Sequence, residues 1–139
     1  MADPVNHPEH YTSHPSGFEC FDVIRYLPVT FGNLIKYLWR TDLKGGLQDY
    51  EKALWYLQQI DPVDIQMVRN IPDTAKMWKY IDKVLDWERE PYAPLGTGLC
   101  VVRSLKEDSY DYRDIYELES DLEWVIDKMK ATNPKGKKK

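Results

Sequence analysis

Residues 32–57, GNLIKYLWRTDLKGGLQDYEKALWYL, decide the fold because they divide into two amphipathic segments around a pair of glycines. A helix over residues 33–40, turning about 100° per residue, separates apolar from polar side chains. Its apolar half holds Leu34, Ile35, Leu38 and Trp39, and its polar half holds Asn33, Lys36, Tyr37 and Arg40. This pattern predicts a helix with one face in the protein core.

A second amphipathic helix follows the connection Asp42–Gly46, where glycines permit backbone angles that other residues avoid. Over about residues 47–60 its buried side is expected to hold Tyr50, Ala53, Leu54 and Leu57. Its other side is expected to present Gln48, Lys52, Trp55 and Gln59. The two helices predict a helical hairpin at the centre of an all-α fold.

The polar sides of this hairpin carry cations and aromatic rings together, which suits a flat-ringed anion such as a nucleotide. The cations expected to contact phosphate are Lys36, Arg40, Lys44 and Lys52, with backbone amides of Gly45 and Gly46 as further donors. Asn33 and Tyr37 are expected to orient the base or sugar, and Trp55 to stack on a base. For any one of these cations alone, a solvated surface role is the simpler interpretation.

Length and composition limit the class of protein. A chain of 139 residues fits one domain, and 42% hydrophobic with 30% charged residues is typical of a globular protein. No apolar run approaches the roughly 20 residues that cross a bilayer, and the start MADPVNHPEH does not resemble a signal peptide. We therefore expect a cytoplasmic protein with no membrane partner. Cys20 and Cys100 are expected to be reduced thiols.

The formal net charge is −4, although four lysines lie in the final NPKGKKK. The rest of the chain is therefore more acidic still, which argues against binding to duplex nucleic acid. We expect a single helical domain over residues 1–131, with an irregular arm at 1–17, a core at 18–60 and a variable helical half at 61–131. Residues 132–139 are expected to form a basic, disordered tail.

The arm contains three prolines and all three histidines, His7, His10 and His14. Their HxxHxxxH spacing invites a metal hypothesis, but prolines follow two of them and no cysteine or carboxylate completes a familiar ligand set. We predict no metal site. Two alternatives stay open: a polar arm folded over a ligand, with His7 or His10 as a hydrogen-bond partner or proton carrier, and plain surface structure.

A helix is expected over about residues 18–27, capped by Ser16, with Phe21, Ile24, Cys20 and Leu27 inwards and Pro28 at its end. Thr30 is expected to cap the helix of residues 33–40. Glu19 and Asp22 lie one turn apart and are candidates for metal binding or acid–base chemistry. Exposed charges at a helix start are the simpler interpretation.

The second half of the chain predicts further helices. Asp61-Pro62 is a helix-start signal, and a second start is expected at Asp73. The latter leads into a helix with Met77, Trp78, Ile81, Val84 and Leu85 on one face. Gly96-Thr97-Gly98 lacks the lysine of a phosphate loop and is interpreted as a turn, with a short strand at 99–102.

A last helix over about residues 113–130 has a coiled-coil-like seam of Ile115, Leu118, Leu122, Val125 and Met129. The seam predicts either self-association or packing within the chain, and Trp124 lies opposite it.

Four motifs in order resemble a family of small tailed-phage proteins of formerly unknown function. The family pattern is NHPxHY, GxECxDV, GNxxKYxWRxxxKGG and DxxKAxWYL, found here at residues 6–11, 17–23, 32–46 and 49–57. A member of that family is a deoxynucleoside monophosphate kinase that lacks a P-loop, is largely helical and forms oligomers. The resemblance covers about the first 60 residues.

The resemblance implies a phage nucleotide-binding protein in the host cell cytoplasm that transfers phosphoryl groups to deoxynucleoside monophosphates, and it implies a homo-oligomer. It adds Asn6 and Tyr11 to the nucleotide-binding residues, while His7, His10 and Arg40 are the catalytic candidates. No definite cofactor is expected, with Mg²⁺ considered only together with the nucleotide. One alternative is a non-catalytic protein that sequesters a nucleotide, such as a cyclic immune signal of the host. The other is an all-α nucleotide pyrophosphohydrolase, for which only Glu19 and Asp22 have a suitable spacing.

Overall fold

The computed structural model describes residues 16–43, 46–87, 94–107 and 112–132, and over these residues every regular element is a helix. The predicted all-α class is therefore confirmed. Within these ranges there are seven helices: α1 (Cys20–Ile24), α2 (Val29–Leu43), α3 (Leu47–Gln58), α4 (Pro62–Arg69), α5 (Lys76–Trp87), α6 (Pro94–Lys106) and α7 (Tyr112–Thr132).

Two helices, α2 and α6, lie at the centre of the packing. Helix α2 packs against α1, α3 and α6, and α6 packs in addition against α4, α5 and α7. Helix α3 completes the arrangement by packing along α7. The core therefore combines the hairpin of α2 and α3 with elements from the second half of the chain.

The hairpin has the predicted faces. All four apolar residues of α2 are fully buried: Leu34, Ile35, Leu38 and Trp39. On α3, Ala53 and Leu57 are buried, and Tyr50 and Leu54 are partly buried against the same core. Gln48, Lys52, Trp55 and Gln59 are exposed, as expected. Helix α2 begins earlier and ends later than predicted, so Thr30 lies inside it and does not cap it.

The start of α4 follows the predicted signal. Asp61 is the N-cap residue, its Oδ1 accepts a hydrogen bond from the Asp64 backbone N–H at 3.0 Å, and Pro62 occupies the first turn. The Asp64 carboxylate accepts from the Asp61 N–H at 3.1 Å in return. These reciprocal bonds satisfy two of the backbone donors that a helix start leaves unpaired.

The strand predicted at residues 99–102 and the turn predicted at 96–98 are both wrong, since both segments lie inside α6. This helix is apolar on most sides because its neighbours surround it, and such a segment has no helical periodicity to detect. Gly96 and Gly98 are buried in it. A Cβ atom on Gly98 would lie 2.5 Å from Leu38 Cδ1, so the glycine allows α6 to approach α2 closely.

The first helix is shorter than predicted, and one of its expected core residues faces solvent. Cys20 and Val23 are the buried residues of α1, whereas Phe21 is 58% exposed and lies under the Arg25 guanidinium at 5.3 Å. Glu19, and not Ser16, occupies the N-cap position. Cys20 and Val23 are separated by three positions and fill the inward face of so short a helix, which leaves Phe21 outside.

The seam of the last helix packs within the chain. Leu118 and Leu122 are fully buried, Ile126 is 5% exposed, and α7 lies against α3 and α6. Ile115, Val125 and Met129 are partly buried, while Trp124 is exposed as predicted. Over the described part of the chain, no helix has the length and apolar character needed to span a membrane.

Candidate functional site

Two lysines from different helices meet over one tyrosine ring on the polar side of the hairpin. Lys36 Nζ on α2 lies 4.7 Å from the centre of the Tyr37 ring, and Lys52 Nζ on α3 lies 5.3 Å from it. Both distances are within the range of cation–π attraction, which contributes about 0.5–1 kcal/mol at exposed sites. The Tyr37 ring therefore has one ammonium group near it from each helix of the hairpin.

Two further aromatic side chains, both on α3, lie next to the two lysines and Tyr37. The Tyr37 ring is stacked on the Tyr56 ring with centres 5.8 Å apart, and Trp55 meets Tyr56 edge-on at 5.0 Å. Trp55 is 55% exposed, so a large part of its indole surface faces solvent. We call Lys36, Tyr37, Lys52, Trp55 and Tyr56 the cation–aromatic cluster. It can offer positive charge to phosphate oxygens and an aromatic surface to a base.

Arg40, predicted as a catalytic cation, is held by a carboxylate. Its Nε donates a hydrogen bond to Asp49 Oδ1 at 3.1 Å, and the two side chains are 25% and 13% exposed. The pair joins the end of α2 to the first turn of α3, on either side of residues 44–45. Because the Asp49 carboxylate partly neutralises the guanidinium, Arg40 has less positive charge available for a phosphate group than the sequence suggested.

Lys36 also lies near the thiol of Cys20. Burial raises the pKa of Cys20 to about 12, the Lys36 ammonium opposes this rise, and Asp22 adds to it. The thiol is therefore neutral at physiological pH and is a packing group rather than a nucleophile. Cys100 is exposed as a residue, but its thiol is partly shielded from water, and this desolvation, followed by the charge of Asp114, raises its pKa. Neither cysteine forms a disulfide.

Several predicted site residues lie outside the described residues. These are Asn6, His7, His10, Tyr11 and Lys44, together with the backbone donor Gly45. Asn33 lies on α2 and is half-buried. The structure thus brings Lys36, Tyr37, Lys52 and Trp55 into one cluster, and it places Arg40 on the same hairpin in its pair with Asp49.

Two residues of this surface were missed from the sequence. Tyr56 lies between the Tyr37 and Trp55 rings, and only the three-dimensional crossing of α2 and α3 shows this. Asp49 carried a usable signal, because it lies in the first turn of α3 and within reach of the last turn of α2. Acidic residues are common at helix starts because they interact favourably with the helix dipole, so the position of Asp49 alone did not indicate a pair with Arg40.

The acidic pair Glu19 and Asp22 takes part in the start of α1. Asp22 Oδ2 accepts a hydrogen bond from the Glu19 backbone N–H at 2.9 Å, and Glu19 is the N-cap residue. Within the described ranges, no group of three or more His, Cys, Asp or Glu side chains is placed to hold a metal ion. The capping geometry gives Asp22 a structural role.

Residues 5–58 match the model of a family described as a protein of unknown function, DUF3310. The matched segment contains all four sequence motifs and both helices that form the cation–aromatic cluster. It ends at the last residue of α3, so α4 to α7 lie beyond it. No curated protein and no solved structure matches this chain.

Proposed function

We propose that the cation–aromatic cluster binds a nucleotide, with Lys36 and Lys52 on the phosphate and Trp55 against the base. The observation that carries this proposal is the convergence of both ammonium groups on the Tyr37 ring, next to an indole that is 55% exposed. A phosphate group that contacts both ammonium groups gains charge-assisted hydrogen bonds. A base on Trp55 adds about 1–3 kcal/mol of stacking.

The proposed activity is phosphoryl transfer from a nucleoside triphosphate to a deoxynucleoside monophosphate. An oxygen of the monophosphate forms a bond to the γ-phosphorus, the bond to the β-phosphate oxygen breaks, and two diphosphates result. Such transfer depends on alignment and on neutralising the phosphate oxygens, which cations can provide without a P-loop. Mg²⁺ would arrive with the triphosphate. The support is the pair of lysines together with the sequence resemblance.

The ion pair between Arg40 and Asp49 favours a second candidate, a protein that sequesters a nucleotide without converting it. A guanidinium already held at 3.1 Å by a half-buried carboxylate is less available to stabilise a transferring phosphoryl group. The cation–aromatic cluster would still bind the nucleotide. Binding and turnover therefore need separate measurements.

Binding is tested by calorimetry with a deoxynucleoside monophosphate and with the matching nucleoside, which lacks the phosphate. We expect Lys52→Ala and Lys36→Ala each to weaken monophosphate binding about fivefold, because each loses an exposed charge interaction of about 1 kcal/mol. Neither change should affect nucleoside binding. Lys83→Ala, an exposed position on α5, is the matched control and should behave as the wild type. Equal losses for nucleoside and monophosphate, or equal affinities for all three variants, would contradict the assignment.

Turnover is tested by incubating the protein with a monophosphate and a triphosphate, with and without Mg²⁺. Diphosphate that forms in the presence of Mg²⁺, and more slowly with Arg40→Ala, supports the kinase. Recovery of unchanged nucleotide after denaturation, from a protein that binds it tightly, supports sequestration.

A further inference from the structure

A cavity of about 250 Å³ begins at the C-terminal end of α3, and its lining residues include none of the cation–aromatic cluster. It is bordered by the end of α3, the connection to α4, the start of α4 and the first half of α7. Helices α4 and α7 both pack against α6 without packing extensively on each other, which leaves the opening between them. Its lining residues are Leu57, Gln58, Ile60, Asp61, Pro62, Ile65, Ile115, Tyr116 and Glu119.

The inner wall of the cavity is apolar. Leu57 is 2% and Ile65 is 9% exposed, and Ile60 and Ile115 are partly buried against the same core. A linear alkyl chain placed here removes its methylene groups from water, at about 0.8 kcal/mol for each one fully buried. The volume is below the 300–1,000 Å³ typical of drug-sized ligands, so it fits a small molecule or one side chain.

The rim is acidic, and its charges are not paired with cations. Among the described residues, Asp61 and Glu119 line the cavity, and no lysine, arginine or histidine does so. One oxygen of Asp61 caps α4, and over the described residues the Glu119 carboxylate forms no hydrogen bond or ion pair. Tyr116 lies beside them with 63% of its surface exposed, and an exposed phenol ring attracts cations through its face.

We propose that this cavity binds an alkylammonium group, with the alkyl chain on the isoleucine and leucine wall and the ammonium between Glu119, Asp61 and the Tyr116 ring. An apolar wall alone would accept any alkane of suitable size. The two carboxylates select the cation, since an alkyl carboxylate would meet two like charges. The same chemistry is present in a free aliphatic amine and in a lysine side chain of a partner protein.

Isothermal titration calorimetry with hexylamine, hexanoate and hexanol tests this selection, because all three share one alkyl chain. We expect hexylamine to bind with a dissociation constant of about 1–10 mM, in keeping with a small ligand in a partly open site, and hexanoate not to bind measurably. A lysine blocked by an acetyl group and a methylamide tests the second source. If it binds more tightly than hexylamine, the occupant is a partner's lysine; if hexylamine binds more tightly, it is a free amine.

The variant pair Glu119→Gln and Glu123→Gln identifies the site. Both positions lie on α7 and both changes remove one negative charge, but Glu123 does not line the cavity and is exposed. Glu119→Gln should weaken hexylamine binding about fivefold, which corresponds to the loss of about 1 kcal/mol. Glu123→Gln should leave it unchanged.

Equal binding of hexylamine and hexanol would overturn the proposal, and so would equal effects of the two glutamine variants or no binding of any amine. These ligands contain no phosphate or base, and the variants lie outside the cation–aromatic cluster. The result is therefore independent of the nucleotide experiments.

Discussion

Gly98 lies where α6 approaches α2, and its missing side chain has a measurable consequence. A Cβ there would lie 2.5 Å from Leu38 Cδ1 and 3.3 Å from Ile35 Cδ1. Both neighbours are fully buried, so they cannot move into solvent. Gly32, in α2, has room for a side chain. A Cβ atom there would lie 3.7 Å from its nearest neighbour, the Ile24 carbonyl oxygen, which is an ordinary contact distance.

We expect Gly98→Ala to lower the free energy of unfolding by about 1 kcal/mol. Overpacking costs about 1–3 kcal/mol, and the higher helix propensity of alanine returns about 1 kcal/mol. Gly32→Ala, the matched control, should raise stability by up to about 1 kcal/mol. Urea unfolding of both variants measures the difference, and a Gly98→Ala protein as stable as the Gly32→Ala protein would show that the α2–α6 contact is looser than described.

At the scale of single elements, α4 and α6 stabilise each other's C-terminal ends. Lys106 Nζ donates to the carbonyl oxygens of Arg69 at 2.9 Å and Ile71 at 2.7 Å, and it pairs with Asp73 at 3.1 Å. In the other direction, Arg69 Nε donates to the Leu105 carbonyl oxygen at 3.1 Å. Cations at helix C-termini satisfy terminal carbonyls and oppose the negative end of the dipole.

Lys106→Met should lower the free energy of unfolding by about 1–2 kcal/mol. Methionine keeps much of the apolar stem but removes the ammonium, so the carbonyls of Arg69 and Ile71 lose a donor. Lys79→Met removes one exposed charge from α5 and serves as the control. Thermal unfolding followed by circular dichroism compares them, and equal midpoints would mean that water replaces the ammonium at no cost.

Some of these helices could be located from the sequence, and others could not. Regular spacing of apolar residues located α2, α3 and α7, and the Asp61-Pro62 signal located α4, because each of these helices has one face towards water. The segment of residues 94–106 could not be assigned in this way, since helices surround it and Val101 and Val102 favour strands when considered alone. In the candidate site, the lysines and Trp55 followed from helix geometry. The pairing of Arg40 with Asp49 did not, because it depends on how the two helices meet.

At the scale of the whole molecule, the seam of α7 completes the core of one chain. Leu118 and Leu122 are fully buried, and α7 packs along α3. The apolar spacing that is typical of a coiled coil here serves packing between helices of the same chain. The seam therefore gives no support to the predicted self-association.

Leu122→Ala should lower the free energy of unfolding by about 2–5 kcal/mol, because it leaves a cavity in the core. Since the seam packs within one chain, the melting temperature of the wild type should not depend on protein concentration. Val125→Ala, at a half-buried neighbouring position, should cost less. Calorimetric melting over a wide concentration range checks both points. A melting temperature that rises with concentration, and that Leu122→Ala makes constant, would place the seam between two chains.

The close approach of α6 to α2 also bears on how the matched segment, residues 5–58, can exist in other proteins. Ile35 and Leu38 on α2 belong to that segment, whereas Gly98, which contacts them, does not. A protein that contained this segment alone would expose the α2 face that α6 covers here, and such a surface favours aggregation. A chain that contains the hairpin but no counterpart of α6 would need another cover for this face, such as a different helix or a neighbouring subunit.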